Sequence, residues 1–480
     1  MNQSEKNIAM KSYFIISILF CLILTTSCYE DLGNYNYELP EEPQVFGVAD
    51  SVFRVSVGDS LKIHPILSHS KADKDNFSYE WQIQIAEELR HVTYTGQNLD
   101  IQFGFKAGSY PGIYSVYDKS NGMKYFYPFT IESQTQFSRG ILALCNDNGQ
   151  GRLSFVRPDS TVINNLYQSL NGGTLPNNPI QLVPIINQAN SNTGLTRYWL
   201  LGKDEINPGV GINAGTLFFE ATLKDNFFAP LPSIEPNYVY PTFLGASTGV
   251  FNNKLYLGTT STQDISPDYG RYGNAIAGDY SLAPSFIYVD FQYYLGFDIK
   301  HYQFVRFASS GAYYGVDYRV STVGTGFDPK KPGLVSYSHM FYLNGSTSYA
   351  YGIDSLNNFV EFKFMLAGDN FVTDYVRKFV RPDLINESNL WIGNQFGIIY
   401  FTSNEKIYRY NPLNEEIIAL LADFGGKTVT MIEFVPNSDY IIAGTEGSLY
   451  YLDIGTGKTG NIVHQINGFV GAPVDVYIRN

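Results

Sequence analysis

From Gln44 onward, apolar and polar residues alternate with a period of two in short runs separated by Gly, Asn, Asp and Pro. A period of two sends successive side chains to opposite faces, so the pattern predicts half-buried β-strands and an all-β chain. Up to about Ser133 the runs are VFRVSVGDSLKIHPIL, FSYEWQIQI, LDIQFGF, GSYPGIYSVYD and MKYFYPFTIES, with turns at Gly58-Asp59, near Gly108 and at Asn121-Gly122. Such spacing predicts an immunoglobulin-like β-sandwich over residues 44–134. Trp81 falls mid-strand, with Gln82 and Gln84 alternating against Ile83 and Ile85, which predicts a core tryptophan.

Beyond Ser138 the runs come as apolar strand pairs. IYFTSNEKIYRYNPLNEE from Ile399 aligns without gaps on IIAGTEGSLYYLDIGTGK from Ile441, so Ile407 matches Leu449, Tyr410 matches Leu452 and Asn411 matches Asp453. The offset of about 42 is the size of a four-stranded propeller blade. Weaker echoes stand at Lys254 to Thr260, Leu295 to Phe307 and Tyr349 to Phe362. Roughly 340 residues at about 42 to 50 per blade predict a β-propeller over 138–480 with seven blades, eight being the neighbouring solution. Asp298, Asp354, Asn411 and Asp453 each follow a strand and open a turn, which fits the Asx capping role rather than a ring of ligands.

The amino terminus carries another pattern. An apolar run of about eleven residues, Phe14 to Leu24, follows Lys11 and ends in Thr25, Thr26 and Ser27 before Cys28. Eleven residues at about 1.5 Å each cover roughly half of a ~30 Å hydrocarbon core, so residues 1–27 read as a cleavable export signal and not as a span. Small residues followed by cysteine resemble the lipobox of bacterial lipoproteins, in which the thiol of what is here Cys28 is acylated and becomes the first mature residue. Thr25 stands where that motif usually has leucine, and an ordinary secretory signal followed by a chance cysteine is the alternative. Residues 28–43, YEDLGNYNYELPEEP after the cysteine, have no periodic apolar face and read as a lipidated, extended tether.

Composition sharpens this picture at three points. Aromatic residues make up 16% of the chain, with 38 Tyr, and 44 Gly accompany them, a mix that favours strands and tight turns. The net charge of −13 argues against nucleic acid as a partner, which requires clustered Lys and Arg. Of three cysteines, Cys21 lies in the signal, Cys28 at the lipobox, and Cys145 in the apolar run ILALC, where it reads as a small buried hydrophobe.

Motifs that carry chemistry are absent. His64 and His69 have the spacing of half a zinc site, but the C-x-x-C half is missing, and an odd offset along a strand points the rings apart. Asp147-Asn148-Gly149 reads as a hairpin turn, and there is no G-x-S-x-G elbow. No catalytic residue, metal ligand or cofactor is therefore expected. The stretch least like a blade is Ser266 to Phe286, with YVDFQYY close behind. It sets Gly270, Gly273 and Gly278 among Tyr269, Tyr272 and Tyr280. Tyrosines on a glycine-rich loop can stack on sugar rings and bond their oxygens, which makes these three the candidate ligand-binding residues. A loop packed over its own blade by its tyrosines is the alternative.

Four segments together resemble the PKD-like family of outer-membrane lipoproteins of Bacteroidetes-type bacteria. They are CYEDLGNYNYELP, with Cys28, Gly33, Asn34, Tyr35 and Tyr37; YEW; GIYSVYDKSNGMKYFYPFTI, with Gly112, Tyr114, Asp118, Gly122, Tyr125, Phe129 and Ile131; and FSRGILALCNDNGQGRLSFV, with Gly140, Ile141, Leu142, Leu144, Gly149, Leu153, Phe155 and Val156. Tyr29 and Ile141 depart from the residues usual there, Asp and Trp. Glu30 and Asp31 resemble the acidic signal that sends such lipoproteins to the outer face of the outer membrane; a merely acidic tether is the alternative. The resemblance implies a lipid-anchored protein of the cell surface, working beside a nutrient-uptake system and its outer-membrane transporter, with polysaccharide or glycopeptide as ligand and no catalysis. A propeller glycosidase or lyase, and a scaffold docking a transporter, are the competing expectations. An enzyme would show inward carboxylates with shifted pKa values at the channel, a glycan binder exposed aromatic rings, and a scaffold a flat apolar patch.

Overall fold

The computed structural model describes residues 40–57, 59–70, 76–85, 90–105, 108–187, 194–260, 268–289, 291–343 and 347–479. The export signal, Cys28 and the tether as far as residue 39 lie outside the described residues. The rest is nearly all β, as the period-two pattern predicts. It divides into two compact units: a smaller one built on Lys62–Asp100 and Pro111–Phe129, and a larger one that runs from Thr130 and takes in Val52–Leu61 and Ile101–Tyr110.

In the smaller unit, strand Phe77–Ile85 pairs antiparallel with Arg90–Thr95 on one side and Gly108–Asp118 on the other. Its burial alternates, and Trp81 is fully buried at its centre. The Trp81 ring lies 4.2 Å from that of Tyr114 and meets Phe129 edge-on at 5.5 Å. Its Nε1–H donates to the Gly96 carbonyl at 2.9 Å, so this indole buries its area with no orphaned donor.

The larger unit contains seven sheets that succeed one another from Gly140 to the carboxyl end. Their innermost strands are Pro179–Asn187, Pro236–Pro241, Leu282–Val289, Leu334–Leu343, Trp391–Gly393, Met431–Phe434 and, last in the chain, Ala472–Arg479. Each packs on the next, and Ala472–Arg479 packs on Pro179–Asn187, which closes the ring. The closing strand pairs with Gly140–Asp147, so the first blade takes one strand from the end of the chain and three from its beginning. Such a closure removes the two free edges that an open array would expose. Seven apolar clusters fill the gaps between successive blades, and Cys145 lies in the one joining the seventh blade to the first. Burial pushes its thiol up to about 12, in keeping with a small apolar filler.

The sequence repeat is a structural repeat. In the sixth blade Ile399 pairs with Tyr410, and in the seventh Ile441 pairs with Leu452, each 42 residues on. Asn411 Oδ1 accepts from the Leu413 N–H and Asp453 Oδ1 from the Gly455 N–H, and Asp298 and Asp354 cap their own turns in the same way. The turn at Asp147-Asn148-Gly149 is a hairpin with left-handed Asn148 and Gly149 (φ 51° and 89°), closed by Asn146 Oδ1 accepting from the Gly149 N–H at 2.7 Å.

Candidate functional site

Among the described residues the third blade has three strands, and the glycine-rich stretch from Asp268 lies along its outer one. Tyr272 bridges to Gly258 on one side and Phe227 on the other, and the Thr259 N–H donates to the Arg271 carbonyl. Backbone bonds of an irregular outer strand need no alternation, which is why the stretch shows none.

Two of its three tyrosines, Tyr272 and Tyr280, are buried in the core. Tyr272 is fully buried, packed against Phe227 and Phe251 at 5.0 and 4.9 Å, with its hydroxyl bonded to Ser247 Oγ at 2.6 Å. Tyr280 is almost as buried. Its hydroxyl donates to the Ile276 carbonyl at 2.7 Å, its ring meets Phe307 and Tyr313, and Lys254 Nζ sits 4.1 Å from the ring centroid. Burial raises the pKa of both phenols, that of Tyr280 to about 12. Tyr269 is half-buried and donates its hydroxyl to the Leu244 carbonyl. These side chains pin the loop, because a phenol with a large apolar body and one donor gains more from a dry, bonded site than from solvent.

What the pinned loop offers is its small residues. Gly273 to Ala277 form one wall of a cavity of about 480 Å³ between the third and fourth blades. The opposite walls come from Thr242, Phe243 and Leu244 after the third inner strand, from Tyr288 and Tyr294, and from the Ser309–Gly311 turn. The Tyr288 and Tyr294 rings stack at 4.5 Å and 16°. Tyr294 is held from behind by a 2.9 Å bond between its hydroxyl and Thr248 Oγ1. At the rim Phe243 and Phe291, 40% and 64% exposed, meet edge-on at 4.9 Å, and Phe291 also meets Tyr288. Phe291 has a φ of 59°, a left-handed turn position where a bulky side chain costs about 1–2 kcal/mol. Thr260, Asn274, Ser309 and Ser310 put exposed amide and hydroxyl groups around it, and no charged residue is among its described lining. The described rings and hydroxyls suit the C–H faces and oxygens of an uncharged, polyhydroxylated ligand.

Acidic groups converge elsewhere, at the inner strands. Asp475 on the closing strand accepts from the Leu182 N–H through Oδ2 at 2.7 Å and from the Val476 N–H through Oδ1 at 2.9 Å. Burial nevertheless carries its pKa up to about 7, and Glu433 on the seventh inner strand is raised by burial and by the charge of Asp475. Tyr238 on the third inner strand is pushed up to about 12, mainly by burial. On the fifth, the Tyr337 hydroxyl bonds Ser285 Oγ at 2.9 Å, and desolvation lowers the pKa of His339 to about 4. Sequence reasoning missed Glu433 and Asp475, whose one signal is a lone carboxylate in each of the apolar strands MIEF and APVDV. It did single out YVDFQYY, which supplies Tyr288, Phe291 and Tyr294. His64 and His69 have separate partners, Asp100 Oδ1 for the first and the Glu41 carbonyl for the second.

No curated protein matches the chain in sequence. Among solved structures, a quinoprotein alcohol dehydrogenase-like protein from Bacteroides thetaiotaomicron aligns at 14% identity over 91% of this chain and 99% of that one, with a TM-score of 0.45. The extracellular domain of a one-component system from the same organism aligns at 12% identity over 93% and 70%, with a TM-score of 0.39. A surface component of the type-IX secretion system of Porphyromonas gingivalis aligns at 12% identity over 76% and 51%, with a TM-score of 0.25. By sequence, residues 28–179, from Cys28 to the start of the second blade, match the PKD-like family.

Proposed function

We propose that this protein is a cell-surface lipoprotein, anchored to the outer membrane through Cys28, that holds extracellular glycan without cleaving it in the cleft between the third and fourth blades. The observation that carries the reading is the exposed Phe243–Phe291 pair over a cavity whose described lining has tyrosine, threonine, serine and asparagine and no charged residue. A ring kept 64% exposed on a strained turn is expensive unless something covers it. Capture of this kind fits service beside a nutrient-uptake system, with an outer-membrane transporter as the neighbouring partner. The test is retention of the purified mature chain on gels containing neutral polysaccharides. Retention that is lost in Phe243→Ala/Phe291→Ala supports the reading, and retention that is equal in both proteins removes it.

The Glu433–Asp475 pair favours a second reading, in which the channel hosts a glycosidase or lyase. Against it, both Asp475 oxygens already accept backbone N–H groups. Release of reducing ends from the same polysaccharides, abolished by Glu433→Gln, would put the enzymatic reading first.

A further inference from the structure

Between the seventh blade and the first lies a cavity of about 550 Å³ whose chemistry is opposite to that of the cleft just described. Arg139 and Arg157 stand exposed at its rim, while Arg479, also in its lining, turns its guanidinium to the second blade, where it donates to the Ala214 carbonyl at 2.7 Å and lies over the Tyr198 ring. No carboxylate is among its described lining. In a chain where Asp and Glu outnumber Lys and Arg by 45 to 32, two exposed arginines at one rim with no acid in the described lining are a concentration of positive charge that composition does not supply. The nearest acid in sequence, Asp159, accepts from the Thr161 N–H at 3.0 Å within its own hairpin, and that bond, with a smaller contribution from the charge of Arg157, holds its carboxyl below the usual range. The outer wall is built across the two blades by a 3.2 Å bond between Ser160 Oγ and His464 Nε2. The floor is apolar, made by Ile141 and Ile466, and the Tyr451 ring stands beside His464 at 5.9 Å.

We infer that this groove binds an anionic saccharide, through carboxylate or sulfate groups paired with Arg139 and Arg157, while Tyr451 and the apolar floor take the sugar ring. The planar guanidinium matches the two oxygens of either group, and a mixed apolar and hydroxyl-bearing floor suits a ring with one face of C–H bonds. The volume lies within the range of small-ligand sites, which is too compact for a folded partner. The site is separate from the neutral cleft and stands or falls without it.

The experiment measures binding of the full mature chain to polygalacturonate, dextran sulfate, dextran and poly-L-glutamate at fixed salt, for the natural protein, Arg139→Gln/Arg157→Gln and Phe243→Ala/Phe291→Ala. Both arginines are exposed, so thermal midpoints of the first variant should match the natural protein. Expected are binding of polygalacturonate or dextran sulfate that falls by about tenfold or more in the arginine variant and is unchanged in the phenylalanine variant, with poly-L-glutamate bound much more weakly. Carboxylate and sulfate are told apart by which of the two polymers binds. The inference is overturned if neither acidic polysaccharide binds, if the arginine variant binds them as well as the natural protein does, or if poly-L-glutamate binds as tightly. Loss of dextran binding in the phenylalanine variant reports on the neutral cleft alone.

Discussion

The backbone N–H of Leu182 donates to Asp475 Oδ2 at 2.7 Å across 293 residues of chain. The bond ties the strand that closes the ring to the inner strand of the second blade, while Glu433 faces the same carboxyl from the seventh. Two raised acids at one seam make closure depend on pH. An acid whose pKa is higher in the folded state binds more protons there, so its stabilising contribution is complete below the unfolded value near 4 and is lost as pH rises towards about 7. Thermal midpoints should therefore fall between about pH 5 and pH 7, and Asp475→Asn, which keeps an acceptor for Leu182 but no charge, should flatten that slope. An equal slope in both proteins would clear the pair of responsibility.

Glu361 is fully buried in the fifth blade and accepts from Tyr351 and Tyr375 hydroxyls, each at 2.8 Å, and from Arg377 Nε at 3.0 Å. Arg377 continues to Glu415 and to the Pro412 carbonyl in the sixth blade. Removing Glu361 leaves the buried Tyr351 hydroxyl without its acceptor and takes one of two carboxylate partners from Arg377, so Glu361→Ala should cost about 1–3 kcal/mol in urea denaturation. Glu361→Gln, which retains an acceptor, should cost clearly less.

Phe291→Asn should separate binding from stability. Relief of the left-handed φ is worth about 1–2 kcal/mol, and loss of the ring pair with Phe243 costs about 0.5–1.5 kcal/mol, so the two nearly cancel. Expected is an almost unchanged melting temperature with retention on neutral polysaccharide gels reduced by about tenfold.

Tyr272→Ala should act on the fold. Its ring fills the core between the second and third blades, and truncation of a buried aromatic costs about 3–5 kcal/mol. Tyr272→Phe, losing only the bond to Ser247, should cost about 1 kcal/mol and leave glycan retention as it was. Reduced retention by a fully folded Tyr272→Phe would restore that residue to the binding site.

Gly140 opens the first blade with a φ of 138°, and a Cβ there would stand 2.1 Å from the Val156 carbonyl oxygen. It would also stand 2.7 Å from the fully buried Phe155 ring, and neither a backbone oxygen nor a packed ring gives way easily, so Gly140→Ala should cost at least the ~1–3 kcal/mol of an overpacked core site, read as a lower denaturation midpoint.

The sequence by itself determined the strands, their turns and their repetition. Alternation is a property of neighbours in the chain, and so is the pairing of Asn148 with Gly149 at a left-handed turn. The offset of 42 between Ile399 and Ile441 survives as matching register because each blade folds on itself. Trp81 was legible as core for the same local reason.

Only the tertiary structure decided which aromatics face solvent and which charges meet. Tyr272 and Phe291 come from two equally tyrosine- and phenylalanine-rich stretches, yet one is buried by Phe227 and Phe251 from other strands and the other is left at a rim. Glu433 and Asp475 become neighbours, and Arg139 and Arg157 come to face His464 and Tyr451, when the last strand joins the first blade. Burial and proximity depend on that closure, and ring closure brings together residues hundreds of positions apart, which no local pattern encodes.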